Sequence, residues 1–481
     1  MLTELGKVPP VMRASLARPL VVLVTLAALP PGAGVAQQLT AAERARVDSA
    51  VVQVLTSTGA PSASIAVVRG GEIVYERAYG DGRIDPKAPA TPSMRYAIGS
   101  VSKQFTATAV LLLAEEGRLS LDDNVAKWLP ELTRAGQVSV RRLLSMTAGY
   151  QDYWPQDYVF TDMLRPTTAQ AIMQRWAGKP LDFDPGTRWQ YSNTNYVIAG
   201  AIVERVAGMP LMDFLRARIF TPLHMTSVAD YNAGPLGPQD AGAYLRNAVG
   251  PLRPAPKEAS GWLFAAGELA MTAHDLALWD ISVIDRRVLK SDSYKTQQTE
   301  MLLENGVSTH YGLGVGVGMS AGRRRISHGG AVSGYTTSNE VYPDDRAAIV
   351  VFTNIYPGAA GAPAQIAGRI AGVLFQQADE AKDRARESAR RIYDGLAKGT
   401  LDRSLFTAEA NAYFTAEVIA DYQKSLAPLG PPAEFDATGE SLRGGMTIRS
   451  YRIRAKGLVL NLTTMTLPDG RIDQYLIERE G

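Results

Sequence analysis

Apolar residues recur along the chain at two spacings, and the changes of spacing mark out its elements. Between 39 and 57, Val47, Val51, Val54 and Leu55 fall on one stripe of a helix that Thr40 is placed to cap. From 63 to 69 the run is nearly continuous, Gly70-Gly71 interrupts it, and 72–79 resumes it, which predicts a hairpin. The stretch 105–114 is apolar on every side, so it reads as a buried helix. Helical spacing returns at 138–147, 168–176, 195–206 and 211–219.

The segment 152–166 is aromatic and irregular and suits the wall of a pocket. A Gly/Ala-rich turn at 261–271 leads into a helix start at Thr272. Alternation at 312–317 reads as a strand, although its glycines equally mark close backbone approach. Strands at 338–342 and 347–353 flank the turn Pro343-Asp344-Asp345, and a helix follows over 362–375 with Pro363 in its first turn. Strands at both ends with helices between them predict an α+β domain over 37–375. Residues 376–398 read as a linking helix. Beyond it, 399–481 forms a small α+β accessory unit, helical near 402–429 and then stranded at 446–455, 458–467 and 471–478. A role in docking, dimerisation or covering the groove is an expectation from its position alone.

Composition changes this picture at the N-terminus. Arg13 and Arg18 precede the apolar stretch 20–29, and Gly34-Val35-Ala36 supplies small residues before Gln37, so 1–36 reads as a signal peptide and the body as periplasmic or secreted. The 481 residues are 46% hydrophobic and 20% charged, the balance of a globular chain. The net charge of +2 disappears once residues 1–36 are removed, leaving no basic block for a nucleic acid and no further membrane span. There is no cysteine, so neither a disulfide nor a thiol nucleophile is available. His224, His274 and His310 are isolated, and no histidine pair has metal-ligand spacing, so neither a metal nor a cofactor is expected.

The chemistry is concentrated in Gly99-Ser100-Val101-Ser102-Lys103, at the head of the buried helix. A serine hydroxyl needs a base beside it, and residues three apart on a helix share a face, so Lys103 is placed to activate Ser100. The free N–H groups at the start of that helix suit a developing oxyanion. Two further polar clusters follow in order, Tyr191-Ser192-Asn193 and Ser327-His328-Gly329-Gly330-Ala331.

Together these three motifs resemble those of the serine β-lactamase and penicillin-binding-protein-like family, in its class C-type esterase and D-peptidase branch. The resemblance runs over about residues 40–375 and takes in Leu143-Leu144-Ser145-Met146-Thr147-Ala148-Gly149 and Ala266-Gly267-Glu268-Leu269. It implies a β-lactamase/transpeptidase-like fold and an acyl-enzyme on Ser100, with Lys103 and Tyr191 handling protons as a unit. Tyr191 is expected to work as a phenolate stabilised by the Lys103 cation. It further implies that Asn193, His328, Gly329 and Gly330 bind substrate and that the N–H groups of Ser100 and Ala331, the latter on an edge strand, form the oxyanion hole. The substrate would be a small molecule or peptide with an ester or amide bond. Where the antibiotic-hydrolysing members carry Lys-Thr-Gly, this chain has His328-Gly329-Gly330. Histidine is charged only below about pH 6.5, which speaks against efficient β-lactam hydrolysis. Arg323, Arg324 and Arg325 are candidates to replace that charge, although a solvated edge-strand face explains them better. DD-carboxypeptidase or β-lactamase action, and a non-catalytic binding protein on the same fold, are the alternatives.

Overall fold

The computed structural model describes residues 38–156, 158–320 and 322–479, with the backbone alone at 377 and 378. The signal-peptide reading of 1–36 falls outside the described residues.

The first helix, α1 (Ala41–Thr58), starts where the sequence places it. The Thr40 hydroxyl accepts from the Glu43 N–H at 3.1 Å, and the Glu43 carboxylate accepts from the Thr40 N–H at 2.7 Å. Then come β1 (Ser62–Arg69), β2 (Glu72–Ile84) and the short β3 (Lys87–Pro89). The remaining strands of the same sheet come from far along the chain: β4 (Gly316–Ser320), β5 (Arg323–Val332), β6 (Tyr335–Tyr342) and β7 (Ala347–Thr353). The antiparallel order is β3-β2-β1-β7-β6-β5-β4. Both ends of the domain therefore contribute strands, and they meet at β1 and β7, where Ile65 faces Val351 and Ala66 faces Val350.

Both central strands are buried on each face. Ile65, Val67, Ile349 and Val351 pack under α1 and the first half of α5 (Ala362–Ala397). Ala66, Val68, Val350 and Phe352 point the other way, into the larger core with Phe105 and Trp279. That larger core is built on α2 (Lys103–Glu115), buried at every position from Lys103 to Leu113, which crosses α3 (Asn193–Ala207). α4 (Ala273–Asp285) closes it against β1 and β7.

Several expected elements differ in extent. The helix at 138–147 shortens to Val140–Leu144, and those at 168–176 and 211–219 widen into π-type turns at Met173–Ala177 and Arg216–Phe220. Over a single turn, apolar spacing does not distinguish these windings. At 312–317 close approach wins over strand. A Cβ on Gly312 would lie 2.1 Å from the Gln297 carbonyl, and one on Gly314 2.9 Å from that of Lys103. No break falls at 375: α5 runs unbroken through the boundary expected there, because nothing in its charged, alanine-rich second half stops a helix.

That second half carries a separate core. Tyr393 and Leu396 pack with α6 (Ala408–Tyr413), α7 (Ala416–Leu426) and a four-stranded antiparallel sheet, β8 (Glu434–Arg443), β9 (Met446–Ala455), β10 (Leu458–Thr466) and β11 (Ile472–Arg479). β8 is absent from the sequence reading because only Phe435 in it is buried, so it shows no alternation.

Candidate active site

Ser100 does not sit on the first turn of an α-helix. Residues Gly99–Ser102 form a tight 3-10 turn, and α2 begins at Lys103. The three-residue spacing still brings the two side chains together, since in such a turn positions i and i+3 eclipse. Two backbones hold the turn. On one side the Ile98 N–H donates to the Leu269 carbonyl at 2.9 Å, and the Leu269 N–H donates to Ser102 Oγ at 3.1 Å. On the other side β5 lies against it. Gly99 has φ +53°, and a Cβ there would lie 2.7 Å from the Ala331 nitrogen. A Cβ on Gly330 would lie 1.9 Å from the Ile98 carbonyl oxygen. Glycine at both positions is a condition for bringing Ser100 and Ala331 side by side.

Lys103 is fully buried behind Ser100. Its Nζ donates to Ser100 Oγ at 2.9 Å, to Asn193 Oδ1 at 2.8 Å and to the Ala266 carbonyl at 2.8 Å. These three acceptors take all three ammonium protons. Burial pulls its pKa down to about 7, against an upward pull from the charge of Asp152. A lysine at that value exchanges its proton at neutral pH.

The Tyr191 side chain lines the cavity beside Ser100. Lys103 Nζ lies 5.0 Å from the Tyr191 ring centroid, over the ring. Burial holds the phenol above its ordinary value, opposed by Ser100. Burial thus favours the neutral phenol at rest over the expected phenolate.

Asn193 opens α3 and is held by Asp152, a residue the sequence reading passed over as part of a pocket wall. Asp152 Oδ1 accepts from the Asn193 N–H at 2.9 Å, and Oδ2 from its side-chain amide at 3.3 Å. Burial raises the Asp152 pKa, countered by these hydrogen bonds and by Lys103. Nothing in the local sequence separates Asp152 from a turn aspartate, since its partner lies 41 residues away.

His328 is buried beside this cluster. Its Nε2 is 2.9 Å from the Tyr311 hydroxyl and its Nδ1 2.5 Å from the Gly329 carbonyl. A carbonyl only accepts, so Nδ1 carries the proton and Nε2 accepts from Tyr311. Burial, with the Lys103 charge, lowers its pKa to about 4. The ring is neutral well below the pH 6.5 expected from the sequence, and it supplies shape and not charge. Of the three arginines, Arg323 is buried between Asp345 and Asp379 over the Phe375 ring, and Arg324 reaches Gln298. Only Arg325 lines the site.

The β4 strand pairs β5 only from Arg323 to Ser327, so His328 to Val332 form a free edge facing Ser100. That edge, with Ser100, Asp152, Tyr191 and Asn193, bounds a cavity of about 760 Å³. Gly329, Gly330 and Ala331 line it too, so every predicted site residue borders the cavity except Lys103, which stands behind Ser100. Ser100 and Ala331 both border the cavity, on the two backbones that Gly99 and Gly330 bring together. No described residue beyond Ala364 lines the cavity.

The family model described as Beta-lactamase matches residues 47–372. Among curated proteins the chain is 28% identical over 306 residues to one named as a penicillin-binding protein in Bacillus subtilis (strain 168), covering 60% of this chain and 67% of that one. It is 29% identical over 303 residues to the D-aminopeptidase of Brucella anthropi, covering 62% of this chain and 57% of that one. The chain thus spans between about half and two thirds of these relatives. Among solved structures, the octameric penicillin-binding protein homologue from Pyrococcus abyssi superposes with TM-score 0.61 at 21% identity, over 90% of this chain and 100% of that one. The D-amino acid amidase from Ochrobactrum anthropi SV3 with D-phenylalanine gives TM-score 0.60 at 24% identity, over 69% and 99%. At these identities the two superpositions speak to the fold.

Proposed function

Because the chain belongs to the Beta-lactamase family, we propose that it is an exported serine hydrolase that opens an ester or amide bond through an acyl-enzyme on Ser100, acting as an esterase or D-amino-acid peptidase. The observation that carries this reading is the fully buried Lys103, with its pKa near 7, in hydrogen-bond contact with Ser100 Oγ. Neutral Lys103 takes the hydroxyl proton as Oγ bonds to the substrate carbonyl carbon. The N–H groups of Ser100 and Ala331 stabilise the oxyanion. Tyr191 donates its proton to the departing nitrogen or oxygen and regains one from Lys103. Water then repeats the sequence in reverse on the acyl-enzyme.

The peptidase form has support from the D-aminopeptidase relative and from Asp152, a carboxylate in the cavity wall suited to a substrate amine. Export has support from the sequence of 1–36. Among the described residues no helix is long and apolar enough to cross a membrane. DD-carboxypeptidase or β-lactamase action is the second reading, favoured by the Bacillus subtilis relative. The neutral His328 weighs against it, since it offers no fixed charge to a carboxylate.

Intact-mass measurement of the protein after brief exposure to a p-nitrophenyl ester, to D-alanyl p-nitroanilide and to a penicillin tests these readings, with Ser100→Ala alongside. An adduct or product from the first two, absent in the variant, is the expected result. A lasting penicillin adduct moves the assignment to the second reading. Turnover that survives Ser100→Ala rejects both.

A further inference from the structure

The cavity does not stop at the free edge of β5. Side chains alternate along a strand, so Ile326 and Val332 enter the larger core while Arg323, on the opposite face, stacks on Phe375 of α5. Arg325, Ser327, Gly329 and Ala331 share the α5 face with Arg323. Their β6 neighbours on that face are Glu340, Ser338 and Thr336, opposite Ser327, Gly329 and Ala331. All but Arg325 and Glu340 are small, so a trough remains between β5 and the start of α5, where Ala360 and Ala364 form the wall. At Gly329 an added Cβ would meet nothing closer than the Thr337 carbonyl at 3.8 Å. The trough therefore passes freely over Gly329 to Ser100 and Tyr191, and both parts belong to one cavity.

The far end is charged. Glu340 is buried and already satisfied, with one oxygen accepting from the Tyr342 hydroxyl at 2.6 Å and the other facing Arg325 at 3.3 Å. Arg325 is 35% exposed, and its contact with Glu340 is a single long one rather than a bidentate pair. Its guanidinium lines the cavity with donors to spare.

We propose that this trough is the leaving-group subsite, and that it takes an extended peptide of a few residues whose free C-terminal carboxylate is held by Arg325. The assignment rests on the amide-cleaving form of the function above. Direction follows from Tyr191, which protonates the leaving nitrogen. Its ring centroid lies 6.4 Å from that of His328, on the free edge of β5 over which the trough opens. Length follows from the strand. Ala331 lies six positions beyond Arg325, roughly 20 Å at about 3.3 Å per residue, and the arginine side chain shortens the span to about four residues of extended peptide. With Asp152 in the wall of the same cavity, the site takes a short acyl portion with a free amine and a longer leaving portion with a free acid. That is a peptide cut near its N-terminus.

Binding of tetraglycine and of tetraglycine amide to the full chain, measured by titration calorimetry, tests the subsite without requiring turnover. The free acid is expected to bind at least about tenfold more tightly than the amide. Arg325→Gln brings the two to parity, Arg325→Lys keeps most of the preference, and Ser327→Leu removes binding of both by filling the trough. A merely structural arginine would not alter the ratio of acid to amide. Equal binding of acid and amide to the wild type, or an acid preference that survives Arg325→Gln, overturns the proposal. Hydrolysis of D-alanyl p-nitroanilide by the wild type is scored separately. Its absence rejects the amide-cleaving reading and leaves the binding result to be judged on its own.

Discussion

The two cores of this chain are built on opposite principles. In the catalytic unit, ionisable groups lie deep inside: Lys103, Glu268, Asp280 and His328 are all buried. In the unit carried by the second half of α5, the buried polar side chains outside the tyrosines are the neutral Thr407 and Thr464. Its charges pair at the surface, as in Arg454–Glu434 and Arg471–Asp469. Among the described residues no Asp, Glu, Lys or Arg beyond Glu340 is buried. Burying a charge costs several kcal/mol unless it is fully partnered, so a fold keeps such groups where chemistry needs them. The buried ionisable groups are gathered in the first unit, and the second is packed around neutral side chains.

The sharpest way to break that contrast is at Gly330. The Ile98 carbonyl stands where a Cβ would go, and backbone cannot swing aside as a side chain can. Gly330→Ala is expected to part β5 from the nucleophile turn, misplacing one oxyanion donor and lowering kcat/KM roughly 100-fold or more. Ser100 would still be present and titratable by a fluorophosphonate at a reduced rate. Near-normal ester turnover in folded Gly330→Ala protein would mean that Ala331 is not part of the oxyanion site.

Lys103 predicts a pH dependence of both rate and stability. Acylation needs the neutral amine, so kcat/KM is expected to rise about tenfold per unit below pH 7 and to level above it. Asp152 raises the Lys103 pKa by its charge. Asp152→Asn is therefore expected to shift the acid limb to lower pH, even as the loss of its hold on Asn193 lowers the plateau. An unmoved limb would show that another group controls it. For stability, the folded pKa lies below the unfolded lysine value of about 10.4. The unfolded chain binds the extra proton between these values, so the penalty is full below about pH 7 and fades as pH rises toward 10. Relative to Lys103→Met, the wild type should gain about 2 kcal/mol between pH 7 and pH 9 in denaturant unfolding.

Much of this was legible before any coordinates. Ser100, Tyr191, Asn193 and His328 to Ala331, which the fold brings to one cavity, each belong to a short local motif flanked by strong apolar runs, and local pattern survives in sequence. What escaped depends on contacts across the chain. Asp152 acts through Asn193, and the Ala266 carbonyl that holds Lys103 is a main-chain atom that no residue type announces. The neutral state of His328 comes from burial beside Tyr311, 17 residues away. Gly314 was noted only as ambiguous, and its use against the Lys103 carbonyl becomes visible when α2 is in place. β8 lacks alternation because one of its faces carries no core. The unbroken α5 follows from the lack of any stop in its sequence, so the change of composition at 376 marks where the helix leaves the first core and not a break in it.

The smallest expected effect on turnover is the one that most sharpens the comparison. Tyr451 is buried in the second core, its ring centroid 5.6 Å from that of Phe435, and Tyr475 ties the same sheet to α5 through the Ala389 carbonyl at 2.8 Å. Truncating such an aromatic costs about 3 kcal/mol or more, a large part of what a unit of this size has to spare. Tyr451→Ala is thus expected to unfold the four-stranded sheet at a lower temperature, separating one thermal transition into two. The cavity has no lining residue beyond Ala364 among those described, so kcat and KM for a p-nitrophenyl ester should stay within about twofold while the first unit is folded. If the ester rate instead falls tenfold at a temperature between the two transitions, the second core supports the site through α5, whose first turns wall the trough. The division between a reactive unit and a structural one would then be a division of residues only, with the long helix joining them energetically.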